Sequence, residues 1–301
     1  MKNNILFLKP YLVKKTWGGH NLQNYGISSS DNLGEAWIIS GIEGKSSIIL
    51  NEEHNNTTLF DFYQDHRAFF NYHESKHYPL LVKLLDCQED LSIQVHPTID
   101  YANSHKNVLP KSEAWYILDA KTNAQIVYGH KAQTKDELIS LVHDKKWEKL
   151  LNFVSVRKQD LFYVPSGTVH ALKKGLVILE IQQSSDTTFR LYDYERNQKD
   201  RPLNIHESME NINVPFVQPK LEHENDELLT TPFFSIKEIK NDGTNSYDLS
   251  YGCWLQCVVI EGNGYIEDKP IKKGSTFIIG NNDLTFKLNG KLTLIVSYIR
   301  R

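Results

Sequence analysis

Apolar residues recur along most of the chain with a period of two. This alternation, or a β-branched run, predicts strands at 36–40, 45–50, 81–85, 91–96, 114–118, 161–164, 177–182, 233–239, 255–260, 275–279 and 291–298. So many short strands with turn residues between them point to an all-β sandwich or barrel. Helical periodicity is confined to two places. Over 134–151, Thr134 and Glu137 form a capping-box signature and Leu138, Leu141 and Val142 share a face, but Trp147, Leu150 and Leu151 fall out of phase. A break near Asp144 and two short helices are expected, with a weaker helix over 60–70. Periodicity fades over 207–226, a stretch rich in Asn, Glu, His and Pro that reads as a linker. Beyond it, Gly262 and Gly264, and then Lys273-Gly274, read as the turns of hairpins.

Composition narrows the class. At 301 residues the chain exceeds one ordinary domain, and 40% hydrophobic with 24% charged residues is average globular usage, which excludes disorder, collagen and coiled coil as the main architecture. The 34 basic and 37 acidic residues leave a net charge of −3 with no long block of one sign. A nucleic-acid partner is therefore not expected, and an anionic ligand has to be met by a local group of cations. Cys87, Cys253 and Cys257 match neither a disulfide framework nor zinc-finger spacing and are expected as buried thiols in a reducing compartment. No apolar run approaches the roughly 18 residues of a membrane helix. A soluble, cytoplasmic protein without a membrane partner is the expectation.

Three segments carry the chemistry. In Leu91-Ser92-Ile93-Gln94-Val95-His96 strict alternation puts Gln94 and His96 on one strand face, and Pro97 ends the pairing. Lys111-x-Glu113-x-Trp115 repeats the pattern, and on its own would also suit a surface ion pair. In 160–170 an apolar strand runs into Pro165-x-Gly167, a tight turn, and His170 follows three residues later. Gln94, His96, Glu113 and His170 together supply two imidazoles, one carboxylate and one amide oxygen, a donor set suited to a divalent transition metal. The other histidines considered, His130 among them, sit in polar, helical or loop settings and are expected at the surface.

Pro165-x-Gly167-x-x-His170 resembles the second cupin motif. Gln94-x-His96-Pro97 with Lys111-x-Glu113-Ala114-Trp115-Tyr116 resembles the metal-site segments of the type I mannose-6-phosphate isomerases, in their short bacterial form. Trp17-Gly18-Gly19, Gly34-Glu35-Ala36-Trp37, Asp100-Tyr101-Ala102, Ser185-Asp186 and Phe189-Arg190-Leu191-Tyr192-Asp193 extend the similarity over nearly the whole chain. Three features depart from the pattern: Gln159 replaces a usual Gly, Gln94 replaces the leading His, as is typical of this isomerase family, and the acidic residue usual shortly after His96-Pro97 is blurred by Thr98 and Ile99.

The resemblance implies a cupin jelly-roll barrel over 1–213, a linker at 214–226 and a smaller cupin-like β domain without ligands over 227–301. It implies one zinc per chain on His96, Glu113, His170 and Gln94, and Arg190 as the essential arginine. The activity implied is the interconversion of mannose 6-phosphate and fructose 6-phosphate through an enediol, with the sugar phosphate as partner and a monomer or homodimer as the assembly. Lys111 and Glu180 are candidates for the base, a water on the metal being the other route. The alternatives are a non-haem iron cupin oxygenase, since two His and one Glu also hold iron, and a sugar-phosphate-binding cupin without turnover.

Overall fold

The computed structural model of the protein describes residues 4–54, 56–196, 199, 201–281 and 283–301. Contacts group the chain into two compact units, one made of the N-terminal residues through Lys15 with His20–Leu84 and Leu221–Arg301, the other of Thr16–Gly19 with Leu85–Lys220. The boundary between Lys220 and Leu221 falls inside 214–226, while most of the first 84 residues group with the C-terminal part. The N-terminal strand Ile5–Lys9 pairs with Thr276–Ile279, which ties the start of the chain to its end. Pairing between residues so far apart leaves no signal in local composition.

The first unit is built on a nine-stranded antiparallel sheet whose longest members are Leu255–Ile266 and Thr285–Tyr298. One face buries Leu255, Cys257, Val259, Phe277, Ile279, Leu294 and Val296 in a common apolar core. All three cysteines are buried, and none is in a disulfide. Gly262 and Gly264 are not turn residues: both lie inside Leu255–Ile266, paired with Leu292 and Gly290. A Cβ at Gly262 would stand 2.1 Å from the Lys291 carbonyl oxygen, and one at Gly264 2.1 Å from that of Asn289. These glycines allow two twisted strands to approach closely, and the chain turns later, at 267–268, where Glu267 takes a φ of 52°. The expected turn at Lys273-Gly274 is present, with Gly274 at φ 90°.

The second unit contains the site segments. A five-stranded sheet runs in the order Phe189–Tyr192, Ile93–Val95, His170–Leu172, Gln125–His130, Leu151–Ser155. Leu161–Val164, Glu113–Ala120 and Leu176–Gln183 form an antiparallel group, with Glu113–Ala120 in the middle. Trp115, Ile117, Ile126, Val164, Leu172 and Ile178 pack between these strands, as the inside of a barrel requires. The back of the five-stranded sheet is covered by short helices that pack on Ile93, Val95, Val169, Ala171 and Leu191. Two of them are Lys135–His143 and Trp147–Leu150, interrupted as expected at Asp144. The Thr134 side chain accepts from the Glu137 N–H, and the Glu137 carboxylate reaches back to the Gln133 N–H at 2.8 Å.

Two helices depart from the sequence reading. Residues 60–70 hold two pieces, Leu59–Asp65 and Arg67–Phe70, broken at His66. Inside the stretch read as a linker lies the end of a helix, Ile205–Asn211, whose Ser208 and Asn211 are buried. Its buried face is polar, so apolar periodicity could not reveal it.

Candidate metal centre

Sheet register assembles the site from segments far apart in sequence. Gln94 lies opposite His170 on one side and Arg190 on the other. Directly paired residues share a face, so the Arg190, Gln94 and His170 side chains form a row across the sheet, about 4.8 Å from one strand to the next. Ile93 and Val95 alternate to the back and join the helix-covered core. His96 follows at the strand end. Glu113 opens the strand Glu113–Ala120, paired with Val164 and Gln182. The turn before His170 docks on the same place: the Gly167 N–H donates to the His96 carbonyl at 3.2 Å. Gly167 has a φ of 81°, and a Cβ there would meet Asn213 at 2.5 Å and the Asn211 carbonyl at 2.8 Å, so glycine is required twice over. Gln159, where the cupin motif usually has glycine, takes the same left-handed region at φ 74°.

His96, Glu113 and His170 converge. Glu113 Oε2 is 3.1 Å from His96 Nε2, and Oε1 is 3.4 Å from His170 Nε2. All three side chains are fully buried, and one ligand atom from each lies within 4.8 Å of the others. Ligand atoms about 2.0–2.1 Å from a tetrahedral centre stand about 3.3 Å apart, so these spacings suit a small divalent cation. The far ring nitrogens are committed elsewhere: Nδ1 of His96 lies 3.1 Å from the Thr187 carbonyl and Nδ1 of His170 2.8 Å from that of Thr168. A backbone carbonyl accepts only from N–H, so each imidazole carries its proton on Nδ1 and turns the Nε2 lone pair toward Glu113. His96 Nε2 and both Glu113 oxygens make no well-oriented hydrogen bond within the protein. Unsatisfied atoms at such depth are costly, and a cation between them removes the cost.

The electrostatics favour the charge states that bind metal. Burial, reinforced by Lys111, pushes the His96 imidazole down to about 3, and burial lowers His170 as well. Both rings are therefore neutral near pH 7. Burial works to raise the Glu113 carboxyl, but the Lys111 ammonium beside it leads the interactions that hold it well below the usual carboxylate range.

The remaining candidates gather around this cluster to different degrees. Lys111, also buried, places Nζ 3.0 Å from Glu113 Oε2, so the Lys-x-Glu pair is a buried contact in the site rather than a surface ion pair. Gln94 reaches His170 with its amide nitrogen leading, Nε2 to Nε2 at 3.2 Å, while its oxygen accepts from Ser92 at 3.3 Å. A half-turn of the amide exchanges the two, an orientation set by the partners present. Glu180 is buried, lies opposite Trp115 in register, and accepts from the indole Nε1 at 3.2 Å. It is near enough to His170 to act on that ring's charge. His130 corrects a sequence expectation: it is buried, its Nε2 at 2.9 Å from the Asn213 carbonyl, and burial lowers its pKa. A histidine inside a β run carries no sequence mark of which face it occupies.

A β-barrel unit in which two histidines and a glutamate converge has the architecture of a cupin with a candidate metal site. Comparison with known proteins narrows the class. Residues 5–123 match the family described as phosphomannose isomerase type I, catalytic domain, and residues 225–299 match the mannose-6-phosphate isomerase cupin domain. The chain is 39% identical to mannose-6-phosphate isomerase ManA of Bacillus subtilis strain 168, with 99% of this chain and 100% of that protein covered. It is 36% identical to the mannose-6-phosphate isomerase of Streptococcus mutans, with 97% of this chain and 98% of that one covered. The crystal structure of the Bacillus subtilis mannose 6-phosphate isomerase superposes with a TM-score of 0.92 at 38% identity, over 99% of this chain and 100% of that one. The chain belongs to the type I phosphomannose isomerase family.

Proposed function

We propose that this protein interconverts mannose 6-phosphate and fructose 6-phosphate with one zinc ion bound per chain. The observation that carries the proposal is the buried His96–Glu113–His170 cluster, in which His96 Nε2 and both Glu113 oxygens lack a hydrogen bond, in a chain aligned end to end with proteins of that name. Zinc would be held by His96, Glu113 and His170, with the Gln94 oxygen as a fourth donor, and would supply Lewis-acid polarisation of the sugar carbonyl.

Isomerisation takes a proton from C2 of the open-chain aldose and returns one to C1, while a proton moves from the C2 oxygen to the C1 oxygen. An enediol stands between the two. Lys111 and Glu180, both buried in the same unit, are the groups positioned to carry these protons. Arg190 stands one strand from Gln94 and two from His170, about 10 Å across the sheet, with a guanidinium that can bond two oxygens at once. That reach suits the developing oxyanion or the phosphate. The site is enclosed by apolar residues, which strengthens every charge contact within it. We place the activity in the cytoplasm, a reading supported by three buried cysteines that form no disulfide.

The test is anaerobic conversion of mannose 6-phosphate to fructose 6-phosphate by the purified protein, before and after chelation and after zinc is restored. Turnover that needs no oxygen, disappears with chelation and returns with zinc is the expected result. A zinc-loaded protein that binds the sugar phosphate without turning it over would overturn the reading in favour of a binding protein. One that consumes oxygen with iron would favour an oxygenase.

A further inference from the structure

Among the described residues, the strand that carries Arg190, Phe189–Tyr192, is the edge of its sheet, with Ile93–Val95 as its strand neighbour. Edge backbone is the part of a sheet most free to shift. At Arg190 the open side is closed by one residue. The Arg190 N–H donates to the Asn204 side-chain oxygen at 3.2 Å, and the Arg190 carbonyl accepts from the Asn204 N–H at 2.8 Å. Asn204 thus supplies both bonds that a neighbouring strand would make.

The Asn204 side chain is diverted from its usual task. It occupies the N-cap of the helix Ile205–Asn211, where an asparagine normally accepts from its own first turn, yet it makes no capping hydrogen bond. The return of the chain to this point is fixed separately. Asp193, buried and just past the strand, pairs with Arg201 through Nε at 2.7 Å and Nη2 at 3.3 Å, and with Arg196 at 3.1 Å. A carboxylate between two guanidinium groups ties the outgoing and returning arms together three residues before Asn204.

We infer that Asn204 is a positioning residue for Arg190, holding the strand edge so that the guanidinium is presented to the substrate, with the Asp193–Arg201 pair holding Asn204 in place. The inference rests on the isomerase reading above for the reaction it serves. Displacement of a substrate-binding group by about 1 Å can cost up to about a hundredfold in rate. Asn204→Ala is expected to lower kcat about tenfold with metal content unchanged, and Asn204→Asp, which keeps an acceptor oxygen, to stay within about twofold. In an Arg190→Lys background the Asn204→Ala loss is expected to shrink below about twofold, because both changes act through the same group. Hydrogen exchange of the Arg190 amide gives a readout that needs no substrate: faster in Asn204→Ala, unchanged in Asn204→Asp.

An unchanged Arg190 amide in Asn204→Ala, or an equal fold loss with Arg190 and with Lys at that position, would overturn the inference. If the wild-type zinc protein does not isomerise the sugar phosphate, the isomerase reading fails by itself. The amide exchange then decides the positioning.

Discussion

Two glutamates, Glu113 and Glu227, show how a buried charge built for a ligand differs from one built for the fold. Both are buried and both lie beside a cation, and the pKa of each is held below its ordinary value against the effect of burial. Glu227 is saturated by its own chain. One oxygen accepts from the Tyr298 hydroxyl and from Arg300 Nη2 at 2.6 Å, and the other from the Thr230 hydroxyl. Glu113 has Lys111 and two imidazoles within 3.0–3.4 Å, yet neither of its oxygens receives an oriented hydrogen bond. A protein that merely needed Glu113 buried would have satisfied it as it satisfies Glu227. Side chains arranged to leave oxygen and nitrogen lone pairs facing one another have been placed for something that is not a side chain.

The comparison can be broken most directly by removing one charge from each site. Glu113→Gln should keep the fold, weaken metal binding at least about a hundredfold and lower turnover at least about a thousandfold, because a neutral amide is a poor partner for a dication. Glu227→Gln should do the reverse. Metal affinity should stay within about twofold, while stability drops by about 2 kcal/mol as Arg300, Tyr298 and Thr230 lose a charged acceptor. Metal titration beside urea unfolding of both variants checks the crossing. If Glu113→Gln destabilises like Glu227→Gln and leaves the metal in place, Glu113 is structural.

A smaller effect sharpens the Glu227 side. Burial acts to raise its carboxyl, but the bonds from Arg300, Thr230, Tyr298 and Ser235 bring it below the unfolded value of about 4.3. Where the folded value is the lower, the unfolded chain binds more protons, so the contribution is complete above about pH 4.3 and fades as pH falls through the folded value. The urea midpoints of wild type and Glu227→Gln should therefore differ by a constant amount from about pH 6 to 8 and converge toward pH 3. A gap that persists undiminished to pH 3 would mean that packing, not charge, separates them.

The two carboxylates were not equally legible in the sequence. Glu113 alternates with Lys111 and Trp115 on one face of its strand, a pattern that alone also suits a surface ion pair, and the resemblance to the isomerase metal-site segments singled it out as a ligand. The same logic placed Gln94 beside His96, and the Pro165-x-Gly167 turn announced His170. Glu227 stands next to a polar stretch, and beyond the nearby Thr230 its partners Tyr298 and Arg300 come from the end of the chain, where no local pattern reaches. Gly262 and Gly264 were misleading for a related reason, since glycine that admits a close neighbour looks the same in sequence as glycine that turns. Asn204 was invisible for a third: its partner is a main-chain N–H, and backbone groups have no sequence.

Glu180 lies between the two cases and yields the smallest effect. It is buried in the same unit as Glu113, but accepts from the Trp115 indole at 3.2 Å and so, like Glu227, is held by a side chain of its own unit. The same indole meets the His170 ring edge-on, with centroids 5.4 Å apart. Trp115→Phe keeps an aromatic body at that place and removes the donor. If Glu180 carries the proton, loss of this anchor lets the carboxylate swing, and kcat should fall about threefold to tenfold with KM and bound metal unchanged. Glu180→Gln, which retains an acceptor for the indole but cannot take a proton, should fall at least about a hundredfold, and adding Trp115→Phe to it should cost nothing more. If Glu180→Gln keeps most of its turnover, the indole bond is a structural contact like those around Glu227, and Lys111 or a water on the metal is left as the proton carrier.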